Sequence, residues 1–412
     1  MDTLIEPGAG VSDAELTALR DTVAAAEAEY LEELARLVDT DCGSYTPAGV
    51  DEIGRFVGSF MAADGARVEV RPDPDGRLGA TVIGTWDGAA GTAGGPRILL
   101  IGHMDTVFDP GTAAARPFAI DAAGIARGPG VTDMKSGLLA GLHAVRALRA
   151  AGPLPFERLT FVANPDEEIG SPSSTPHIRE IAAESDVCLV LECARANGNI
   201  VSSRKGILDA RVEVHGRAAH AGVEPEKGRS AILAAADLVT RLHALNGRWD
   251  GVTINVGVIG GGTRPNVVAE SCSFEVDLRA VRRADLEAAE AVIRAELRRL
   301  AVPDTTAELT EMARWWPMEK LERSGRLVDH AEAVARRLGF EIHDQATGGA
   351  SDANTTAGMG VPSIDGLGPI GGRDHSPAEY LEVASIVPRT ALLAGLLAAI
   401  GRDPAVLGWR AG

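Results

Sequence analysis

"LTFVANPDEEIGS", residues 159–171, decides how this chain is read. Leu, Thr, Phe and Val in succession favour a buried extended strand. Asn164–Pro165 ends it, because proline has no N–H to continue a ladder. Glu167 and Glu168 follow at once. Adjacent carboxylates repel, and successive residues leaving a strand point in different directions. Two acids at the end of a buried strand call for something positive to answer them.

The same grammar recurs nearby. "PRILLIGHMDTV" (96–107) is an apolar run leading into His103 and Asp105, and "DVCLVLECA" (186–194) leads into Glu192. Between the strands, "DMKSGLLAGLHAVRALRAAG" (133–152) is rich in helix formers and stops at Gly152–Pro153. A stretch over 12–40, with Leu16, Leu19 and Val23 at helical spacing, predicts a helix near the start. Strands alternating with helices predict an α/β domain with a largely parallel sheet. Ligands of such sheets gather past the carboxyl ends of the strands.

From residue 207 the pattern changes. Strand, helix, two strands, helix and strand can be read up to Trp316, a βαββαβ unit of α+β type. The earlier style then resumes, with Gly-rich "TGGASDA" (347–353), the loop "GRDHSPAEYL" (372–381) and an apolar terminal helix. The expected organisation is one α/β domain over 1–206 and 317–412, interrupted by a small domain at 207–316.

Acidic residues outnumber basic ones by 58 to 40, a formal charge of −18, which disfavours nucleic acid and anionic membrane as partners. Four cysteines without a CxxC pair read as small buried hydrophobes in a reducing compartment, so the expectation is cytoplasmic. "MDTLIEPGAG" (1–10) has no basic and apolar leader pattern. "ALLAGLLAAI" (391–400) is too short for a bilayer span and reads as a core helix. "GVIGGGTRPN" (257–266) is glycine-rich but lacks the strand–turn–helix setting of a nucleotide loop.

One histidine or acid past a strand is weak evidence, since such residues often cap helices or form turns. Recurrence is stronger. His103, Asp105, Asp133, Glu167, Glu168, Glu192 and His375 all follow strands or sit in loops of the α/β part. Two histidines with several carboxylates suit zinc, cobalt or manganese. The set exceeds what one tetrahedral ion with an open position takes, and suits two ions sharing a carboxylate.

These segments, with "GHMDTVFDPG", "ARGPGVTDMKSG", "HGRAAHAGVEPEKGRSA" and "TRPNVVAES", resemble the M20 metallopeptidases and aminoacylases over nearly the whole chain. Within them the glutamate carboxypeptidases look nearest. The resemblance implies a phosphorylase/hydrolase-like zinc exopeptidase domain with an inserted ferredoxin-like lid and dimerisation domain. It implies two Zn2+ per chain, with Co2+ or Mn2+ as substitutes. His103, Asp133 and Glu192 match the ligands of one zinc, and Asp133, Glu168 and His375 those of the other. Asp105 matches the carboxylate that orients His103, and Glu167 the general base. The Asp133–Met134 peptide is expected to be cis. His220 matches a lid histidine that steadies the oxyanion in the partner subunit, so a homodimer is implied. Asn266, Arg279, Arg314 and Gly349 are candidates to meet a substrate with a free carboxylate beside its scissile amide. "WWPME" (315–319) and Ser351 depart from the glutamate carboxypeptidase pattern, which opens the substrate to bulky groups. The activity implied is carboxypeptidase cleavage of small peptides or deacylation of N-acyl amino acids. A non-catalytic relative would lack Glu167 or a ligand, and all are present.

Overall fold

The computed structural model describes residues 5–89, 92 and 94–409. These form two compact units. One comprises the described residues of Met1–Ser203 and Ser351–Gly412, together with Lys320–Ala346; the other comprises Arg204–Glu319 and Thr347–Ala350.

The first unit is built on a six-stranded sheet in the order Arg67–Arg71, Thr81–Asp87, Arg158–Asn164, Arg97–His103, Val187–Val190, Ser363–Ile364. The first two strands join antiparallel, and the remaining four run parallel. Because strands 97–103, 158–164 and 187–190 are adjacent and parallel, their carboxyl ends lie on one edge. His103 pairs in register with Asn164. The chain steps from strand 97–103 to one neighbour and then to the other, the switch point at which open α/β sheets hold ligands.

Helix Ser136–Ala151 is buried along almost its entire length and packs against helix Ile386–Gly401. The latter contains the "ALLAGLLAAI" of the sequence. The segment Val383–Gly401 is apolar and long enough to cross a bilayer, but 78% of its most apolar window is buried within the unit. It is a core helix. The start of the chain forms two helices, Asp13–Ala25 and Glu27–Val38, where the sequence reading predicts one. Leu16, Leu19 and Val23 bury one stripe and Tyr30, Leu34 and Leu37 another. Both helices pack on helix Ser136–Ala151; the first also meets helix Ile386–Gly401 and the second the segment Val131–Lys135.

The second unit has four antiparallel strands in the order Thr253–Gly261, Ser271–Ala280, Gly206–His215, Thr306–Trp315. Helices Ala231–His243 and Arg283–Glu296 lie on one face, burying Val212, Val214, Phe274 and Leu278 against Leu238, Leu286 and Ile293. Burial alternates along strand 206–215, as expected for a sheet covered on one side. The other face carries charge, including Asp209, Arg211, Glu275 and Asp277.

Candidate metal centre

His103 ends its strand with its side chain buried. Its Nε2 lies 3.1 Å from Asp133 Oδ1 and 3.7 Å from Glu192 Oε1. Its Nδ1 lies 3.0 Å from the carbonyl of Asp105 and 3.3 Å from Oδ1 of the same residue. His375 Nε2 lies 3.1 Å from Asp133 Oδ2 and 3.0 Å from Glu168 Oε2. Asp133 therefore presents one oxygen to each imidazole. The Asp133–Met134 peptide is cis. His375 has φ of 59°, as does Arg373, so the loop that carries the histidine holds two non-glycine residues in the left-handed region. Such backbone costs on the order of 1 kcal/mol per residue and clusters at functional sites.

Asp105 does more than orient an imidazole. Its carboxylate accepts the N–H of Glu167 at 3.1 Å and that of Glu168 at 3.2 Å, and the Ser44 hydroxyl at 2.6 Å. One buried acid thus fixes both the His103 ring and the backbone of the glutamate pair. Below the pair, Asp166 accepts Ser173 N–H and the Ser174 hydroxyl, and Asp352 accepts the Ser171 hydroxyl and an Asn164 amide N–H.

The electrostatics divide the carboxylates. Burial lifts Glu167 well above the usual range; the His103 cation opposes this, and Glu192, Asp352 and Glu168 add to it. Burial also raises Glu168, partly offset by its hydrogen bond from His375. Asp133 is buried too, but its bonds from His103 and His375 win and hold it well below the normal range. Asp133 and Glu168 push His375 up to about 11. Burial disfavours charge on His103, yet Asp105 and Asp133 outweigh it and raise its pKa.

Among the described residues, two groups of side chains have ligand atoms mutually within 4.8 Å: His103, Glu167 and Glu192, and His103, Asp133 and Glu168. Each Nε2 has two carboxylates close by. A single N–H serves one acceptor well, whereas a divalent cation between nitrogen and oxygens serves all of them. The donor set, two imidazoles and several carboxylates, fits zinc-like ions.

The remaining sequence candidates fall in the second unit. His220 is exposed, with Nδ1 accepting the Gly222 N–H at 3.2 Å. Its segment runs beside that of Asn266, whose carbonyl accepts the Ala221 N–H at 3.0 Å. Arg279 is bound by Asp277 through Nε and Nη2, and its Nη1 donates to the Gly348 carbonyl at 3.0 Å. Arg314 is held by Glu311 and Glu290 and lies over the Trp316 ring. Gly349 accepts from Arg204, and a side chain at Gly348 or Gly349 would meet little or nothing.

Sequence reading missed Glu379 and Lys135. Glu379 is buried and accepts the N–H groups of Gly130, Thr132 and Asp133. Burial, against those three bonds, lifts its pKa to about 7. Its one signal was position, four residues after His375 in "GRDHSPAEYL". Lys135, two residues past Asp133, is buried with Nζ on the carbonyls of Pro129 and Thr40.

Comparison with known proteins gives the family. Residues 99–399 match the model of peptidase family M20/M25/M40. The chain is 30% identical to carboxypeptidase G2 of Pseudomonas sp. (strain RS-16), over 90% of this chain and 89% of that protein. It is 27% identical to a succinyl-diaminopimelate desuccinylase of Leptothrix cholodnii, over 78% and 86%. Its fold matches the crystal structure of aminopeptidase PepT from Bacillus cereus with a TM-score of 0.73 and 24% identity, covering 91% of this chain and 98% of that one. Fold and kinship define the class: the protein is a metallohydrolase with the α/β fold of those peptidases. The chain belongs to peptidase family M20/M25/M40.

Proposed function

We propose that this protein is a dinuclear-zinc hydrolase that cleaves the amide bond next to a free carboxylate in small peptides or N-acyl amino acids. The observation that carries the reading is Asp133, with one oxygen facing each imidazole and a further carboxylate beside each Nε2. His103, Asp133 and Glu192 would hold one ion, and Asp133, Glu168 and His375 the other. Ions bound there supply Lewis acidity toward water and the scissile carbonyl.

The chain's own groups do the rest. Glu167 takes the proton of the attacking water and returns it to the leaving nitrogen. Its raised pKa suits a group that must hold a proton between two steps. Asp105 keeps Glu167 in place by gripping its N–H. His220, on the inserted unit, donates to the developing oxyanion in the partner subunit. Of the two arginine candidates, Arg279 is the better reader of a substrate carboxylate. It is paired with one acid and a carbonyl, whereas Arg314 is already held by two acids. Asn266 adds a hydrogen bond, and the 348–349 backbone lies open to a ligand.

The inserted unit is proposed as a lid that also forms a homodimer. Supporting this, Val258 and Ile259 are exposed on its edge strand, and Ile232 and Leu233 on a helix.

Purified protein should contain about two transition-metal ions per chain. Full activity with one ion or none sinks the dinuclear reading. A panel of dipeptides, N-acyl-glutamates and acetylated or succinylated amino acids, with zinc supplied, separates carboxypeptidase from deacylase. The deacylase reading is kept because relatives include a desuccinylase and an acetylornithine deacetylase.

A further inference from the structure

The segment that delivers Asp133 is gripped from two sides at a single peptide group. The carbonyl of Pro129 accepts Lys135 Nζ at 3.0 Å. The N–H of Gly130, the other half of that peptide, donates to Glu379 Oε2 at 3.0 Å. The second Glu379 oxygen accepts Thr132 N–H at 2.9 Å and Asp133 N–H at 3.1 Å. Lys135 also donates to the Thr40 carbonyl at 3.2 Å. Both charged residues are only 1% exposed.

Hydrogen bonds to charged groups are stronger than neutral ones, and low dielectric strengthens them further. A peptide between an ammonium on its oxygen and a carboxylate on its N–H is polarised by both, so each bond reinforces the other. Removing either charge leaves its opposite buried on a weakened partner. The connectivity matters as well. Glu379 lies four residues after His375, so one short segment brings an imidazole to the side chain of Asp133 and a carboxylate to its backbone. Tyr380–Glu382 pairs with Ile125–Arg127, which fixes where Glu379 begins.

We propose that Glu379 and Lys135 are positioning residues that clamp the Pro129–Gly130 peptide and so hold the Asp133 carboxylate between His103 and His375 before any metal binds. The catalytic consequence rests on the dinuclear reading above; the clamp itself does not.

The test uses Glu379→Gln, Lys135→Met and the double variant in the full chain, stripped of metal and titrated with Co2+. Glu379→Gln keeps one acceptor oxygen but turns an NH2 toward the Gly130 N–H. Each single variant should weaken Co2+ binding by about 10–100-fold, alter the cobalt absorption spectrum, and lower kcat with KM little changed. Because both residues act on one peptide, the double variant should lose less than the product of the single losses. A lower Tm with unchanged Co2+ affinity and spectrum would mean packing alone and overturn the clamp. Hydrogen exchange of the metal-free wild-type protein decides the matter if the variants do not fold. The amides of Gly130, Thr132 and Asp133 should be protected without metal; exchange at open-loop rates until metal is added overturns the proposal. If wild-type protein takes up fewer than two ions, the dinuclear reading falls, and the exchange data still judge the clamp.

Discussion

Glu167 and Glu168 are neighbours in the chain with different surroundings. The Glu168 carboxylate is met by His375, while the environment of Glu167 is dominated by burial. Glu167→Gln should therefore keep both ions and lose about 10²–10⁴-fold in kcat. Glu168→Ala should lose one ion, read by metal analysis after dialysis. Glu167 also stands near His103 and Glu192 at ligand distance. Loss of metal in the Glu167 variant would make it a ligand and refute its role as base. Asp105→Ala frees the His103 ring and both glutamate N–H groups together, so metal affinity or activity should fall by about 10–100-fold or more. The set around Asp133 was legible in the sequence because each member sits just past an apolar run or inside a recognisable motif. Glu379 was not, because its partners are backbone N–H groups some 250 residues earlier. Nor was Glu290, which meets Arg314 only across the folded unit.

At the scale of elements, the helix Ser136–Ala151 is where packing and site meet. A Cβ on Gly137 would stand 1.9 Å from the Leu191 carbonyl, and one on Gly141 2.5 Å from the Leu191 side chain. Leu191 precedes Glu192, so the helix can lie this close to the strand that presents Glu192 only with glycine there. Gly137→Ala should cost about 1–3 kcal/mol through overpacking. It should also reduce metal content, because the Leu191 backbone must move. Thermal melts and metal analysis check both. The existence of this helix was readable from its formers and its Gly–Pro stop. Its close approach to the strand was not, since a small residue in a helix has several reasons to be there. The break at Ala26 was hidden for a related cause: local propensity favours helix on both sides, and only tertiary packing separates the two.

Across the whole molecule, the first unit is also tied together by His330, which joins Gly8 to Asp403. Its Nδ1 accepts the Gly8 N–H at 3.0 Å, and its Nε2 lies 2.9 Å from Asp403 Oδ2, which also binds Arg326. An imidazole that accepts on Nδ1 must be neutral, and burial lowers its pKa despite Asp403. The unfolded chain takes up a proton near about 6.5, before the folded one does. The stability contributed here is thus complete above that pH and lost as pH falls toward the lower folded value. Asp403 also costs burial, but Arg326 and His330 hold its pKa down, so its contribution is lost only at lower pH, as acid reaches its depressed folded pKa. In metal-free protein, His330→Gln should lower Tm at neutral pH, and its deficit relative to wild type should shrink between about pH 7 and pH 5 as the His330 contribution is lost. For the assembly, light scattering should give twice the chain mass, and Val258→Asp with Ile259→Asp should return it to one. A change in pattern near residue 207 is legible because sheet and helix periods reveal themselves over many residues; that Thr347–Ala350 joins the second unit was not legible. The interruption has a consequence for biosynthesis. A chain made from its N-terminus exposes His103, Asp133, Glu168 and Glu192 first, then the whole inserted unit, and only afterwards His375, Glu379 and the core helix Ile386–Gly401. While the chain grows, the inserted unit is made before the first unit has His375 or the core helix Ile386–Gly401. The candidate site gains His375 only after the inserted unit has been made, so until then the chain carries His103, Asp133, Glu168 and Glu192 without it.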